Sequence, residues 1–206
     1  MIYNKNNLII HQIADQTGNR PEISGIFFKK DKTVATDSYK LIEVKNPDEM
    51  LNADIPIIAD GSKLWQGFVN KGVIIPSKAV QKILQNLKEI KRELPVLQNC
   101  WFSDKSNQEN SEIITTDLEI VNKVQTKNIS CEYPNYNDII PQTNNGFTKI
   151  ILHLDFLIKL LNTIGKMDLA DKNIELFIKN SETPLVIKTT TVQKQQITAL
   201  LMPIKS

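Results

Sequence analysis

The stretch Gly72-Val-Ile-Ile-Pro-Ser77 leads from a β-rich run directly into a helical one. Residues 72–75 predict a short strand, and Ser77 is a candidate N-cap. The apolar residues that follow recur at helical spacing; they are Val80, Ile83, Leu84, Leu87 and Ile90. Further β-rich stretches come at 95–102, 112–116 and 118–125. This part of the chain therefore predicts a strand, an amphipathic helix and then several strands.

The same order of elements occurs on both sides of this segment. Helices are predicted at 7–16, 77–92 and 155–165, the last capped by Asp155 and ended by Gly165. Strands are predicted at 23–28 and 39–44 after the first helix, at 148–152 before the third, and at 174–178, 185–189 and 197–202 after it. Three such modules predict an α+β fold with antiparallel sheets and helices on one face.

A short sequence repeat supports these modules. Val34-Ala-Thr-Asp37 and Ile114-Thr-Thr-Asp117 each stand between two predicted strands. An aspartate carboxylate at such a point can accept backbone N–H groups and fix a hairpin. Residues 46–70 break the pattern and are interpreted as a long connection. Trp65 and Phe68 are expected to anchor it, the alternative being an exposed contact site.

The composition restricts the function. With 206 residues, 41% of them hydrophobic, and a net charge of only +2, the chain is not a polycationic nucleic-acid binder. Its apolar runs are too short to cross a membrane, and no leader follows Met1, so a cytoplasmic protein is expected. Cys100 and Cys131 stand apart from each other and from both histidines, which argues against a disulfide or zinc site and favours two reduced core thiols.

Nothing in the sequence favours catalysis. Asp37 and Asp117 could be imagined as a metal pair, but both stand in the Thr-Asp turn context, where a structural carboxylate is expected. His11 and His153 lack acidic or cysteine neighbours at ligand spacing, and no nucleophile motif or phosphate loop is present. We therefore expect no enzyme, no metal and no cofactor; a metal-dependent hydrolase is the weakest alternative.

Four motifs, in order, resemble the β sliding clamp of bacterial DNA polymerase III. They are Arg20-Pro-Glu-Ile-Ser-Gly25-Ile-Phe-Phe28 with Thr33-Val-Ala-Thr-Asp37-Ser-Tyr-Lys-Leu41; Val73-Ile-Ile-Pro76-Ser-Lys78; Tyr133-Pro-Asn-Tyr136 with Ile139-Ile-Pro141; and Leu200-Leu-Met-Pro203-Ile204. Residues 1–142 are similar to the family's middle domain, and 147–206 resemble the end of its last domain. The chain thus resembles a shortened clamp.

The resemblance implies a DNA sliding clamp-like processivity or tethering factor that encircles duplex DNA without reading its sequence. Its partners would be a DNA polymerase or other proteins with clamp-binding motifs, and a clamp loader is a further candidate. If a ring takes about twelve modules, as the resemblance implies, four chains of three modules would close it. We therefore expect a homo-oligomer, with a dimer joined through 147–206 as its building block, and no membrane association. The alternative is a clamp-like adaptor or regulator that binds clamp partners without encircling DNA.

Two sets of residues would carry these roles. The resemblance implies a partner-peptide pocket lined by Ile23, Thr36, Ser38, Leu41, Pro141, Leu200 and Met202. In the alternative interpretation Ile23, Leu41 and Leu200 are plain core residues and Pro141 merely ends a strand. The DNA-facing residues of the second and third helices would lie opposite the apolar stripes, and Arg20 would lie just beyond the first helix. The full set is Arg20, Lys78, Lys82, Gln85, Arg92, Lys159, Asn162 and Lys166. A solvated helix face is the alternative for these.

Overall fold

The computed structural model describes residues 3–47, 71–90, 95–117, 119–141, 143 and 146–204. The chain divides into two compact units, Met1–Tyr136 and Asn137–Ser206. Both units combine helix with antiparallel sheet, which confirms the expected α+β class. Trp65, Phe68 and Arg92 lie outside the described residues, so the predictions made for them stay predictions.

The described residues of the first unit contain two α-helices and two four-stranded sheets. In chain order the elements are β1 Tyr3–Asn4, α1 Lys5–Ile9, β2 Gly25–Phe28, β3 Lys32–Thr36, β4 Leu41–Lys45, β5 Val73–Pro76, α2 Ser77–Glu89, β6 Asn99–Phe102, β7 Asn110–Thr116 and β8 Val121–Lys127. Short 3-10 turns lie at Ile10–Gln12, Pro21–Ile23 and Pro95–Gln98. The first helix is thus shorter than the predicted 7–16, since it tightens into a 3-10 turn after Ile9.

The two sheets of this unit exchange strands. Their orders are β4-β3-β2-β5 and β1-β6-β7-β8. The strand before α2, β5, therefore pairs with β2 of the first module, and the strand before α1, β1, pairs with β6 of the second. Both pairings are antiparallel, so each module completes the sheet of the other.

A shared core lies beneath these sheets. The apolar stripe of α2 is buried and packs in one cluster with side chains from β1, β2, β5 and β6. At its centre the ring of Tyr3 meets Phe28 and Phe102 edge-on, with centroids 5.0 Å and 5.8 Å away. Such aromatic pairs contribute about 0.5–1.5 kcal/mol each beyond their buried area.

One glycine is required where the exchanged strands meet. Gly25 pairs with Pro76 in the β2–β5 ladder, and a Cβ atom built on Gly25 would overlap the carbonyl oxygen of Ile75. A side chain at position 25 would therefore push β5 away from β2.

The second unit contains one module. Its described elements are α3 Leu154–Ile164, β9 Glu175–Phe177, β10 Leu185–Thr190 and β11 Gln196–Leu201, with sheet order β11-β10-β9. The predicted strand at 148–152 is wrong: these residues belong to no sheet of the described chain. They do hold one ladder-like bond, since Ile204 N–H donates to the Ile151 carbonyl at 2.8 Å.

Two expected N-caps and one expected core thiol are also wrong. The hydroxyl of Ser77 donates to the Ser24 carbonyl at 2.9 Å instead of capping α2, whose N-cap is Pro76. Asp155 lies inside the first turn of α3, where its charge favours the helix dipole, but it forms no capping bond. Cys100 is buried as expected, and burial raises the pKa of its thiol to about 12, whereas Cys131 is exposed.

Candidate functional site

The Thr-Asp turn between β3 and β4 has the predicted geometry. The Asp37 carboxylate accepts the backbone N–H groups of Tyr39 and Lys40 at 2.9 Å and 2.7 Å. The Thr36 hydroxyl donates to the Lys40 carbonyl at 2.7 Å, and Lys40 Nζ lies 2.7 Å from Asp37 Oδ2. Hydrogen bonds from the Lys40 side chain, and next from its backbone N–H, lower the pKa of Asp37 to about 2. The predicted hairpin role of Asp37 is confirmed.

The turn between β7 and β8 repeats this arrangement. Asp117 accepts the backbone N–H groups of Glu119 and Ile120 at 3.1 Å and 2.7 Å, and the Thr116 hydroxyl donates to the Ile120 carbonyl at 3.0 Å. Both aspartates imagined as a metal pair therefore bind the backbone of their own turns. In the described ranges, no three His, Cys, Asp or Glu side chains are grouped so as to hold a metal ion.

The first unit places four of the predicted pocket residues around the Thr36–Asp37 turn. Ile23 is buried in a cluster with Val34, Ile74, Tyr133 and Tyr136, and the half-buried Leu41 packs against it. Thr36 is buried, and its hydroxyl oxygen accepts the N–H of Ser38 at 3.1 Å. Ser38 is exposed, with a left-handed φ of 76°. Leu41 and Ser38 can thus be reached from solvent, whereas Ile23 lies behind them.

The other three pocket residues belong to the second unit, and all three are exposed. Leu200 is 60% and Met202 64% exposed, and Pro141 is exposed as well. Leu200 points outward because the residues of β11 alternate, with Leu201 buried. The core interpretation therefore holds for Ile23 and fails for Leu200. A shared pocket for the seven residues stays a prediction.

The candidate DNA-facing residues of α2 and α3 occupy matching positions. Lys82 is the sixth residue of α2, and Lys159 is the sixth residue of α3. Gln85 and Asn162 are both the ninth residue of their helix. All four side chains are exposed and lie opposite the apolar stripe of their helix. Each helix therefore presents a lysine and an amide at the same height on its solvent face.

Three further candidates flank this pattern. Lys78 and Lys166 are exposed near the start of α2 and just beyond the end of α3. Arg20 is exposed too, but its Nη1 donates to the hydroxyl of Ser38 at 2.5 Å. Arg20 is therefore linked to a predicted pocket residue, at the Thr36–Asp37 turn.

The sequence interpretation missed the support beneath this turn. Tyr133 stacks on Phe27 with centroids 4.5 Å apart, and Tyr136 meets Tyr133 edge-on. Lys32 Nζ lies 5.3 Å from the Tyr136 ring centroid and 2.9 Å from a Glu43 carboxylate oxygen. The two tyrosines at i and i+3 were the available signal, and they fix the chain after β8 against the sheet that carries the turn.

Comparison with known proteins identifies the architecture. No protein-family model and no curated protein matches the chain. Among solved structures it is similar to a Pseudomonas aeruginosa DNA polymerase sliding clamp with ligand, at a TM-score of 0.67 and 15% identity over 100% of this chain. It is also similar to the Caulobacter crescentus pol III beta, at 0.62 and 15% over 98%, and to the beta subunit from DNA polymerase of Streptococcus pyogenes, at 0.63 and 14% over 100%.

These matches define a sliding-clamp fold, which confirms the fold expected from the four motifs. The particular structural relatives are beta subunits of bacterial DNA polymerase III. The chain spans about half the length of each, with 52%, 50% and 50% of the three proteins covered.

Proposed function

We propose that this chain is a non-enzymatic clamp-like processivity or tethering factor that encircles duplex DNA in the cytoplasm as a homo-oligomer. The observation that carries the proposal is the matched pair of solvent faces on α2 and α3, with Lys82 and Lys159 at the same helical position in a sliding-clamp fold. Mobile lysines neutralise phosphates without reading base edges, which gives loose binding that permits sliding. With a net charge of only +2, DNA binding would depend on such local surfaces and not on the charge of the whole chain.

Partner binding is the second part of the proposal. The partners would be DNA polymerase or another protein with a clamp-binding motif, and a clamp loader. Each would dock a short peptide on the apolar side chains of Leu41, Pro141, Leu200 and Met202. Ser38 and Thr36 would be polar neighbours of the peptide, and Ile23 would lie behind them. The exposure of Leu200 and Met202 supports this role, because exposed apolar side chains can bury a peptide anchor. It equally favours the second candidate, a clamp-like adaptor that binds the same peptides without encircling DNA.

None of the helices in the described ranges is long and apolar enough for a membrane span.

Retention on circular DNA tests encirclement. The protein is bound to a nicked circular plasmid with its loader, separated from free protein by gel filtration, and the plasmid is then cut once. An encircling protein stays on the circle and is released when the DNA is linear, whereas an adaptor is not retained on either form. Loss of the protein from the circle at the rate seen for linear DNA would contradict encirclement.

Lysine variants test the surface itself. Lys82→Ala and Lys159→Ala should each lower the slope of log affinity against log salt by about 1 per subunit of the ring, because each removes about one phosphate contact from every subunit. Lys30→Ala and Lys172→Ala are matched controls, since both lysines are exposed in the same two units but lie outside α2 and α3. Equal slopes in all four variants would argue against the helix faces as the DNA surface.

A peptide assay tests the partner site separately. Met202→Ala should weaken binding of a fluorescent peptide with Leu and Phe anchors about tenfold, equivalent to about 1.4 kcal/mol. Met167→Ala is the control, because Met167 is an exposed methionine of the same unit. If Met202→Ala binds the peptide as tightly as Met167→Ala does, the pocket must be abandoned.

A further inference from the structure

The third module repeats the second in its backbone hydrogen bonds. In the second module the Ile74 carbonyl, three residues before α2, accepts the Ile129 N–H at 3.0 Å. In the third the Ile151 carbonyl, three residues before α3, accepts the Ile204 N–H at 2.8 Å. Both donors follow the last strand of their module. Residues 150–153 therefore occupy the position of β5, and β9 occupies the position of β6.

The two modules differ in what lies beside these strands. In the first unit, β5 pairs with β2 and β6 pairs with β1, so both strands are completed by the other module. In the described part of the second unit, β9 pairs with β10 alone and residues 150–153 join no sheet. An open edge of this kind offers unpaired backbone N–H and C=O groups to another strand.

Side-chain exposure follows the same division. Trp101 and Phe102 of β6 are 0% and 2% exposed, whereas Leu176 and Phe177 of β9 are 55% and 48% exposed. Ser77, the first residue of α2, is buried with its hydroxyl bonded to Ser24 of the first module. Leu154, the first residue of α3, is 66% exposed. The apolar positions of the third module that are exposed thus correspond to positions where the second module is covered by its neighbour.

We propose that a second copy of this chain supplies the missing strands: residues 150–153 of one copy pair antiparallel with β9 of the other, and reciprocally. The two third modules would then complete each other as the first two modules do. This is a two-fold, self-complementary contact, because each copy carries both the strand that is offered and the edge that receives it. The proposal rests on the homo-oligomer part of the proposed function but does not require DNA.

The first unit also sets the register. In both exchanged pairs the residue just before the helix lies opposite the first residue of the receiving strand, as Asn4 lies opposite Asn99 and Pro76 opposite Gly25. Applied to the third module, the rule places His153 opposite the partner's Glu175, Leu152 opposite the partner's Leu176, and Ile151 opposite the partner's Phe177.

This register agrees with the two faces of the sheet. Leu152 packs against the core of its own unit, and Leu176 lies opposite the buried Ile187 in the β9–β10 ladder, so both face the core. Ile151 and Phe177 occupy the alternate positions, which face outward. A slip of one residue would set core-facing residues against outward-facing ones, so the pattern selects the proposed register. His153 and Glu175 add a polar pair that favours the same alignment.

Cross-linking of mixed single variants tests the contact. In a Cys131→Ser background, His153→Cys protein is mixed with Glu175→Cys protein, without DNA, and treated with a short bismaleimide reagent. Cys100 is buried and should not react. Each protein then carries one accessible cysteine, so a covalent dimer can form only between copies. In a 1:1 mixture the proposed cysteine pair occurs only in mixed dimers, so we expect up to about half of the protein to be cross-linked at micromolar concentration. Glu182→Cys replaces Glu175→Cys as the control, since Glu182 is an exposed glutamate of the same unit; its yield should be at least tenfold lower.

Three outcomes would overturn the proposal. The first is a monomer in sedimentation at micromolar concentration. The second is an equal cross-linking yield from Glu175→Cys and Glu182→Cys. The third is a Leu176→Lys variant, altered in β9, that forms the dimer as readily as the parent protein does. Failure to retain circular plasmid, in contrast, would count against DNA encirclement and leave this contact standing. The two proposals can therefore fail separately.

Discussion

The second and third modules have the same order of elements and the same backbone bond ahead of their helices, yet one is buried and the other is largely exposed. Val80 and Ile83 of α2 are 0% exposed, whereas Leu157 and Leu160, at the same positions of α3, are only partly buried. The second module is covered by β1 and β2, and no described strand covers the third. An amphipathic pattern therefore selects the face that a module will bury, but a neighbouring module must be present to bury it.

The largest expected difference between the modules is in stability. Phe102→Ala should destabilise the first unit by about 3–5 kcal/mol, because Phe102 is buried against Tyr3 and Phe28. Phe177→Ala should cost less than about 1 kcal/mol at concentrations where the chain is monomeric, because Phe177 is half exposed. Hydrogen exchange of β7 and β10 amides reports each unit separately. Equal losses in the two units would show that exposure does not distinguish the modules.

Protein concentration should change the hydrogen-exchange protection of β9 but not that of β5 and β6. If β9 is covered by a second copy, its amides should become about 100-fold better protected when the concentration is raised to about 100 times the dimer Kd. Amides of β5 and β6 are already paired within the chain, so their exchange should stay constant. Hydrogen exchange at a series of concentrations measures both in one sample. Protection of β9 that does not depend on concentration would mean that its edge is covered in some other way.

The smallest expected effect is a change in the pKa of Asp37 in the hairpin turn of the first module. The first module has Asp37 in its turn, whereas the third has Thr191, whose hydroxyl accepts the N–H of Gln195 at 3.0 Å. Asp37 has a lowered pKa, so its stabilising effect is present above the usual value of 3.8 and is lost as the pH falls towards about 2. Lys40→Ala should raise the pKa of Asp37 towards 3.8, measured by an NMR titration of the carboxyl carbon. Lys45→Ala, which changes an exposed lysine paired with Glu43, should leave it unchanged.

Much of this architecture could be predicted from local sequence. Helical periodicity located α2 and α3, and the exposure of Lys82 and Lys159 follows from the same periodicity. The roles of Asp37 and Asp117 could be predicted because a short carboxylate reaches only the next few N–H groups.

Features that depend on distant residues could not be predicted in this way. Ser77 stands at a plausible capping position, but its hydroxyl binds Ser24, 53 residues earlier in the chain. The exchange of strands between modules depends on similar long-range pairing. Ile23 was expected to line a cleft, and only the packing of Tyr133 and Tyr136 shows that it is buried.

The contact at Gly25 determines how freely this sequence can vary. Gly18 also has no side chain, but a Cβ atom there would meet nothing within 4 Å, and only its positive φ of 75° restricts the choice of residue. At position 25 any side chain would strike the backbone of β5, which cannot move aside without breaking the ladder. In a library that carries every amino acid at both positions, variants of Gly18 should survive selection for folding, with Asn and Asp favoured. At position 25 only glycine should be found among the variants that fold. The selection would thus identify the place where the strands of the first two modules meet.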